Sequence, residues 1–185
     1  MIRLPILLTF LFLIGCDLPE SSEFFLNDTE LAQNQGEISS KDQNGGFKVI
    51  GVKDGDTIEL LMNGEGQVVR FAHVDCPEKK QSFGNAAKQF VSNLCFGEFV
   101  TLIHENKYDR YKRLIAEIVL ADGTNLNQDL IKNGLAWHFK KYSKDATYAQ
   151  LEIKARSQKM GIWSEPDPIA PWDWRKSKRK SLKSN

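Results

Sequence analysis

Hydrophobic and polar residues alternate with a period of two along much of the chain after residue 46, and this pattern predicts short β-strands. Asn63-Gly64 lies between two of these runs and is a strong signal for a tight hairpin. The predicted strands up to residue 120 cover residues 47–53, 57–62, 67–75, 98–104 and 114–120. A further short strand is predicted over residues 135–139.

The hydrophobic period changes to that of a helix in three segments, residues 82–96, 128–133 and 146–160. A glycine that can end a helix follows each segment, and Asn127 is placed to cap the second. Five short strands with one helix inserted after the third suit a small closed barrel with helices packed outside. We therefore expect an α+β fold, a five-stranded OB-fold barrel with about three packed helices.

The N-terminus carries a different signal. Residues 4–14 form an apolar run that is too short to span a bilayer, which needs about 20 residues, and it is typical of a secretory signal peptide. Leu13-Ile14-Gly15-Cys16 resembles the bacterial lipobox, in which cleavage precedes a lipid-modified Cys. We expect a signal peptide over residues 1–15 and a lipid anchor on Cys16, outside the cytoplasm at the periplasmic or cell surface. The alternative is an ordinary signal peptide followed by a chance Cys.

Charge divides the remaining chain into three parts. Residues 17–45 hold seven acidic residues against Lys41 alone, and we expect a disordered tether over residues 16–45. Acids and bases balance over residues 47–174, the predicted domain covers residues 46–176, and residues 177–185 form a basic tail. The net charge of +1 argues against a protein that coats nucleic acid by charge alone.

Two cysteines, Cys76 and Cys95, lie in the predicted domain. An oxidising compartment would favour a disulfide between them. The sequence does not show whether their Cα atoms come within bonding reach, so a disulfide and two free thiols both stay open.

Acidic residues gather where predicted strands end. Asp54, Asp56, Asp75 and Glu78 would meet at the mouth of a barrel, where they repel one another unless a cation lies between them. Carboxylate oxygens favour Ca²⁺ or Mg²⁺ over zinc. Considered alone, the DGD stretch is also compatible with a plain turn.

Two arginines stand in or beside these strands, Arg70 in the one that leads to Asp75 and Arg113 at the start of another. A guanidinium stays charged at any working pH and binds phosphate through two parallel hydrogen bonds. Each arginine alone is equally compatible with a solvated surface position.

Aromatic and imidazole side chains give weaker signals. The histidines have no partner ligands at a metal-binding spacing, so we expect packing or surface positions for His73, His104 and His138. We expect Trp163 to pack the last predicted helix onto the domain. Trp172 and Trp174 could stack on bases, but packing against the domain is the favoured interpretation.

Five segments of the chain resemble, in the same order, the successive motifs of the staphylococcal nuclease (thermonuclease) family. They fall within residues 47–176, and the spacing within DGDT, R-x4-D-x-P-E and D-x-Y-x-R is specific. The segments are VKDGDTIEL, VVRFAHVDCPE, KYDRYKRLIAEI, NQDLIKNGLAW and KMGIWSEPDPIAPWDWRK. The resemblance implies an OB-fold nuclease that uses Ca²⁺ to cleave the phosphodiester bonds of DNA and RNA.

The resemblance also implies roles for single residues around the ion. Asp56 and Asp75 match the carboxylates that bind calcium. Cys76 stands where the family has Thr or Ala and would supply its backbone carbonyl. Glu78 matches the general base that activates water, which must lie in line with the phosphorus atom.

The remaining matches concern the substrate. Arg70 and Arg113 match the pair that binds the scissile phosphate. Arg110, Tyr111 and Tyr142 match positions at which the family holds a 5′-phosphate and stacks a nucleotide. Charge that grows on the phosphate in the transition state would be stabilised by the ion and the two arginines.

Two departures from the expected pattern concern backbone geometry. Lys112 replaces the glycine usual between Tyr111 and Arg113, which would strain the turn if that position has a positive φ. Arg70 and Asp75 are five residues apart, so strict alternation puts them on opposite faces of a strand. The strand must therefore bend, bulge or end between them.

These observations predict a monomeric, calcium-dependent endonuclease that acts on DNA and RNA and is anchored to a membrane through Cys16. The first alternative is a catalytically inactive OB-fold lipoprotein that binds nucleic acid. Loss of Glu78 or of an arginine from the sequence would indicate such a protein. A structural surface lipoprotein is the second alternative, and it would leave the paired acids and arginines without a purpose.

Overall fold

The computed structural model describes residues 45–182, so the predicted signal peptide, Cys16 and all but the end of the predicted tether lie outside the described residues. The strands are β1 (Phe47–Asp54), β2 (Thr57–Met62), β3 (Glu65–Phe71), β4 (Val74–Asp75), β5 (Phe99–Ile103), β6 (Leu114–Val119) and β7 (Trp137–His138). The helices are α1 (Gly84–Cys95), α2 (Leu126–Lys132), α3 (Ala146–Ser157) and α4 (Pro171–Ser181), with a 3-10 turn over Gly161–Ser164.

Five strands close into a barrel in the order β1-β2-β3-β6-β5, which confirms the predicted OB-type α+β fold. All neighbours are antiparallel except β3 and β6, which run parallel with Val69 opposite Leu114. The β2–β3 hairpin turns at Asn63 and Gly64, whose φ angles of 52° and 82° suit the tight turn that these residues predict.

The predicted strand over residues 67–75 is interrupted. β3 ends at Phe71, His73 has a φ of 67°, and the chain resumes as β4 at Val74. β4 leaves the barrel and pairs with β7, Val74 with His138 and Asp75 with Trp137. The further strand predicted over residues 135–139 therefore exists only as the two residues of β7, and it lies in this second sheet.

The core is built from alternate strand positions and from one face of each neighbouring helix. Ile58 and Leu60 on β2, and Leu114, Ala116 and Ile118 on β6, are each buried inside the barrel. α1 closes one side with its buried Ala87, Val91 and Cys95. Cys95 and Cys76 are both buried free thiols, so no disulfide joins them.

The cap predicted for α2 is wrong by two positions. The side chain of Asn125, not Asn127, accepts the N–H of Gln128 at 3.1 Å. Asn127 is buried instead. Its amide accepts the N–H of Ile118 at 3.0 Å and donates to the carbonyls of Ala72 and Ala116 at 3.0 and 3.2 Å. This one side chain therefore ties β6 to the interruption after β3.

α4 was not among the predicted helices, and it continues across residue 176, where the basic tail was expected to begin. Pro171 at its first turn suits a helix start because proline lacks the N–H that would be unpaired there. Trp172 holds the helix to the domain, stacked on Phe139 with ring centroids 5.5 Å apart and edge-on to Trp137 at 5.6 Å. Trp163 packs against Trp137 at 4.4 Å, which confirms the packing role expected for it.

No helix within residues 45–182 has the length and apolar character needed to cross a membrane.

Candidate active site

The DGD turn joins β1 to β2 and places Asp56 at the barrel mouth. The backbone N–H of Asp56 donates to Asp54 Oδ1 at 3.1 Å, which closes the turn. Gly55 is required by close packing, since a Cβ there would lie 2.7 Å from the Cβ of Ala87 and 3.0 Å from that of Cys76. The turn is therefore pressed against α1, and Asp56 is directed into the site from a fixed backbone.

Asp56 and Asp75 converge on a single point. The Nη2 atom of Arg70 lies 3.1 Å from Oδ2 of Asp56 and 3.1 Å from Oδ1 of Asp75. Asp56 is held further by the backbone N–H of Cys76, which donates to Oδ2 at 2.7 Å, and by the Thr57 hydroxyl, 3.2 Å from Oδ1. A carboxylate from the DGD turn and one from β4 thus share one cationic partner.

Burial and crowding disturb the ionisation of these acids. Burial raises the pKa of Asp75, and the neighbouring guanidinium groups of Arg175 and Arg70 oppose this only in part. Partial loss of contact with water and the charge of Asp56 also raise the pKa of Asp54. The charge of Asp56 thus contributes to the raised pKa of both Asp54 and Asp75, and a cation placed among these acids would oppose that effect.

Glu78 lies at the edge of the site on a short turn. Its backbone N–H donates to the Gln81 side chain at 3.0 Å, and its carbonyl accepts the N–H of Gln81 at 2.8 Å. Gly84, at the start of α1, packs so closely on this turn that an added Cβ would lie 2.0 Å from the Glu78 carbonyl oxygen. The backbone is thus fixed while the side chain stays 41% exposed, within reach of solvent water.

Arg113 is held by a residue that the sequence analysis did not single out. Asp109 accepts the Arg113 Nε–H at 2.8 Å through Oδ2 and the Arg113 backbone N–H at 3.0 Å through Oδ1. Nη1 of Arg113 lies 3.4 Å from the Thr57 hydroxyl, next to Asp56. The sequence feature that could have indicated this pair is the spacing of four residues between Asp109 and Arg113 across a turn.

The turn that carries Arg113 has the strained geometry considered above. Lys112 has a φ of 61°, and its N–H donates to the carbonyl of Asp109 at 3.0 Å. A non-glycine residue in this region costs about 1 kcal/mol. The turn forms nonetheless, because the side chain of Asp109 accepts the N–H groups of Tyr111 and Arg113 and so stabilises it.

The three residues expected to bind nucleotide are exposed, but only two of them join the site. Tyr111 lies beneath both neighbouring arginines, with Arg110 4.7 Å and Arg113 5.5 Å from its ring centroid. Tyr142 packs edge-on against Phe139 at 4.8 Å. Within the part of the chain that the structure describes, no hydrogen bond or ion pair connects Tyr142 with the acids or arginines of the site.

Arg175 of α4 is the second residue that sequence reasoning missed. It donates from Nη2 to Asp75 Oδ2 at 2.6 Å, from Nη1 to Asp75 Oδ1 at 3.2 Å, and from Nη1 to Glu78 Oε1 at 2.7 Å. Although partial burial lowers the pKa of Arg175, these two carboxylates raise it above its ordinary value. Arg175 belongs to the PWDWRK segment, which resembles a family motif, but the sequence analysis predicted positions only for the two tryptophans of this segment.

The side chain of Cys76 belongs to the hydrophobic core. The side chain is buried in the core beside Gly55, and burial raises the pKa of the thiol well above its ordinary value. A neutral buried thiol is a poor nucleophile and a poor metal ligand. This agrees with the expectation that any contribution of Cys76 comes from its backbone.

The donor set fits a hard cation. Asp56 and Asp75 offer carboxylate oxygens that already converge on one cationic atom, and oxygen is the ligand that Ca²⁺ prefers. Within residues 45–182, no three His, Cys, Asp or Glu residues are arranged as a metal-binding group. An ion held here would take carboxylate ligands from Asp56 and Asp75.

Comparison with known proteins agrees with this geometry. Residues 68–165 match the family described as staphylococcal nuclease homologue. An uncharacterized endonuclease of Escherichia coli O157:H7 is 37% identical over 131 residues, which cover 71% of this chain and 85% of that protein. A micrococcal nuclease of Shigella flexneri is 36% identical over 142 residues, covering 71% of this chain and 81% of the relative.

A third relative, an uncharacterized endonuclease of Haemophilus influenzae, is 37% identical over 133 residues that cover 71% of this chain and 74% of that protein. The closed barrel, the paired acids at its mouth, the two flanking arginines and these matches agree with one another. The chain belongs to the staphylococcal nuclease family.

Proposed function

We propose that this protein is a Ca²⁺-dependent endonuclease that hydrolyses the phosphodiester bonds of DNA and RNA. A nuclease function is supported by the family and by its named relatives. The observation that carries the finer proposal is the approach of Asp56 and Asp75 to one shared point. Arg113 lies next to Thr57, and Glu78 is joined to Asp75 through Arg175.

The proposed reaction uses this chain's residues in distinct ways. Asp56, Asp75 and the Cys76 carbonyl would hold the ion, which would supply Lewis-acid polarisation of a phosphate oxygen. Glu78 accepts a proton from the attacking water, and its exposed carboxylate leaves room for that water. Nε and Nη2 of Arg113 both contact Asp109. Nη1 has only a long contact with Thr57, so it is the donor best placed for a phosphate oxygen.

Action on both DNA and RNA follows from which groups the site offers. Guanidinium groups and a cation bind phosphate, and phosphate contacts carry no base information. Tyr111 presents an exposed ring beside Arg113, and a ring of this kind can stack on any base. The site thus offers little by which one sequence, or one type of sugar, would be preferred.

The calcium requirement is tested by incubating the purified full chain with single-stranded DNA and with RNA, in Ca²⁺ and in chelator. Cleavage of both in Ca²⁺ and loss of cleavage in chelator are expected. Asp56→Asn and Asp75→Asn should each raise the Ca²⁺ concentration that cleavage requires, whereas Glu65→Gln, at an exposed acid in the β2–β3 hairpin, should not. Full activity in chelator would contradict the calcium site.

The same assay decides between an enzyme and the inactive binding module. Glu78 and both arginines are present in the site, which favours catalysis. A protein that binds the oligonucleotides and leaves them intact in Ca²⁺ would instead support a binding lipoprotein.

We further propose that Cys16 carries a lipid that holds the domain at a membrane outside the cytoplasm. Its support is the apolar run followed by Leu13-Ile14-Gly15-Cys16, which precedes an acidic segment before the domain. Cys16→Ser should release the protein from membranes or block its maturation, measured by fractionation and by the apparent mass of the product. Fractionation and maturation like those of the wild type would show that no lipid is attached there.

A further inference from the structure

Arg175, on α4 near the end of the described residues, contacts two acids of the site. Its guanidinium bonds to both oxygens of Asp75 and to Oε1 of Glu78, at distances between 2.6 and 3.2 Å. The side chain is 38% exposed, whereas Asp75 is 2% exposed, so the contact is partly shielded from water. Ion pairs of this geometry are stronger than ordinary surface pairs because both hydrogen bonds and charge contribute.

The position of Arg175 is set by packing rather than by the ion pair alone. Trp172, three residues earlier on α4, stacks on Phe139 and meets Trp137 edge-on. Trp137 also pairs with Asp75 across the β4–β7 ladder. The same aromatic cluster therefore fixes the backbone of Asp75 and the helix that brings Arg175 to it.

Asp75 has two guanidinium partners, Arg70 and Arg175. Arg70 approaches Oδ1 at 3.1 Å, and Arg175 approaches Oδ1 and Oδ2. Arg70 also pairs with Asp56, but Arg175 pairs with Asp75 and with Glu78. Arg175 is thus the one cation within residues 45–182 that connects the proposed metal ligand with the proposed general base.

We propose that Arg175 is a positioning residue that serves as an internal counter-ion: it competes with Ca²⁺ for Asp75 and holds Glu78 both before and after the ion binds. The proposal rests on the calcium site of the proposed function. An ion bound to Asp75 lies close to the Arg175 guanidinium because both contact the same carboxylate. Two cations at such a distance repel each other in a partly buried site.

The competition gives Arg175 opposite effects on ion binding and on catalysis. Removing the guanidinium removes the repulsion, so Ca²⁺ should bind more tightly. The same change releases Glu78 from its 2.7 Å contact, so the rate at saturating Ca²⁺ should fall. A residue that only supported the fold would weaken both, and a residue that only bound substrate would leave the affinity for Ca²⁺ unchanged.

The test is a calorimetric titration of the full chain with Ca²⁺ alone, comparing wild type, Arg175→Gln and Lys176→Gln. Lys176 is exposed on the same helix, so its variant removes an equal charge without the contact. We expect the Ca²⁺ dissociation constant to fall at least about threefold in Arg175→Gln, as for removal of one neighbouring like charge. It should stay close to the wild-type value in Lys176→Gln.

Thermal unfolding gives an independent measurement. In chelator, Arg175→Gln should melt below Lys176→Gln because Asp75 keeps only one guanidinium partner. Added Ca²⁺ should then raise its melting temperature by more than it raises that of the wild type, since tighter binding to the folded state stabilises it more. If Arg175→Gln does not fold, Arg175→Lys provides the comparison, with a smaller rise in affinity because an ammonium cannot bridge both acids.

Kinetics complete the test. We expect kcat at saturating Ca²⁺ to fall about tenfold or more in Arg175→Gln, as for partial loss of a positioned general base, with partial recovery in Arg175→Lys. An unchanged or weaker affinity for Ca²⁺ in a folded Arg175→Gln protein would overturn the competition while leaving the calcium-dependent nuclease intact. Absence of Ca²⁺ binding from wild type and variant alike, with cleavage in chelator, would overturn the calcium site and this inference with it.

Discussion

Nη2 of Arg70 and Oδ1 of Asp75 lie 3.1 Å apart, although five residues separate them along what would otherwise be one strand. The contact exists because the strand ends at Phe71 and turns at His73, and the Val74 N–H bonds back to the carbonyl of Ala72 at 2.9 Å. The interruption brings Asp75 around to the face of Arg70. Without it, the arginine and the acid would point to opposite sides of the sheet.

Glu78→Gln should fold like the wild type and turn over at least about 10²-fold more slowly, because the amide cannot accept the proton of the attacking water. Folding should be preserved since the side chain is partly exposed and the amide oxygen can still accept from Arg175. The measurement is kcat on single-stranded DNA in saturating Ca²⁺, with oligonucleotide affinity measured in parallel. Glu65→Gln, in the exposed β2–β3 hairpin, is the matched control. A Glu78→Gln rate equal to that of the control would remove the general base from the mechanism.

Arg113→Lys should slow turnover strongly, because an ammonium cannot bind Asp109 and a phosphate through a planar pair of donors. Asp109→Asn should have a smaller effect of the same kind, since Arg113 keeps its charge but loses the carboxylate that orients it. Steady-state kinetics on one DNA substrate compare both variants with Lys107→Gln, which alters a nearby exposed charge. If Asp109→Asn lowered the rate more than Arg113→Lys does, Asp109 would have a role in the reaction beyond orienting Arg113.

Cys76→Ala and Cys76→Thr should keep Ca²⁺-dependent cleavage within about tenfold of the wild type, because either change retains the backbone carbonyl. A modest loss of stability is expected, since the sulfur is buried beside Gly55 and its removal leaves a small void. Cys95→Ala, at a buried thiol on α1, should show a similar loss of stability with unchanged activity. An inactive but folded Cys76→Ala protein, or bound zinc that depends on Cys76, would show that the sulfur takes part in the reaction.

The stability of the domain should fall as the pH drops below about 6.5, in part because of His138. Burial lowers the pKa of the His138 imidazole below its ordinary value of 6.5. Its Nε2 lies 2.9 Å from the Ser143 hydroxyl, while Nδ1 is buried and has no hydrogen-bond partner within residues 45–182. The unfolded chain therefore binds a proton more readily, so this contribution is complete above pH 6.5 and is lost as the pH falls towards the folded-state pKa.

The measurement for His138 is the melting temperature between pH 5 and 8 in chelator. In His138→Gln, the melting temperature should change less with pH between pH 5 and 8 than in the wild type. This holds whatever the substitution does to stability at neutral pH. His104→Gln is the control, because His104 is exposed and its loss should leave the slope as in the wild type. An unchanged slope in His138→Gln would assign the pH dependence to other groups.

Features that depend on short stretches of chain could be predicted from the sequence. β2 is found at its predicted bounds, and the Asn63-Gly64 turn forms, because strand alternation and left-handed turn residues act within a few positions. The resemblance to the nuclease family implied that Asp56, Asp75, Arg70 and Glu78 share one site, and the structure brings these side chains together. Lys112 adopts a positive φ, the condition under which its replacement of the usual glycine was expected to strain the turn.

Other features required the folded chain, because they depend on which groups become buried and which distant segments meet. Asn125 and Asn127 are both suitable helix caps by residue type, and only the burial of Asn127 against β3 and β6 assigns the cap to Asn125. Arg175 lies 100 residues from Asp75 in the chain. Periodicity carries no information over that distance, and the contact forms because Trp172 docks α4 on the aromatic side chains beside β4.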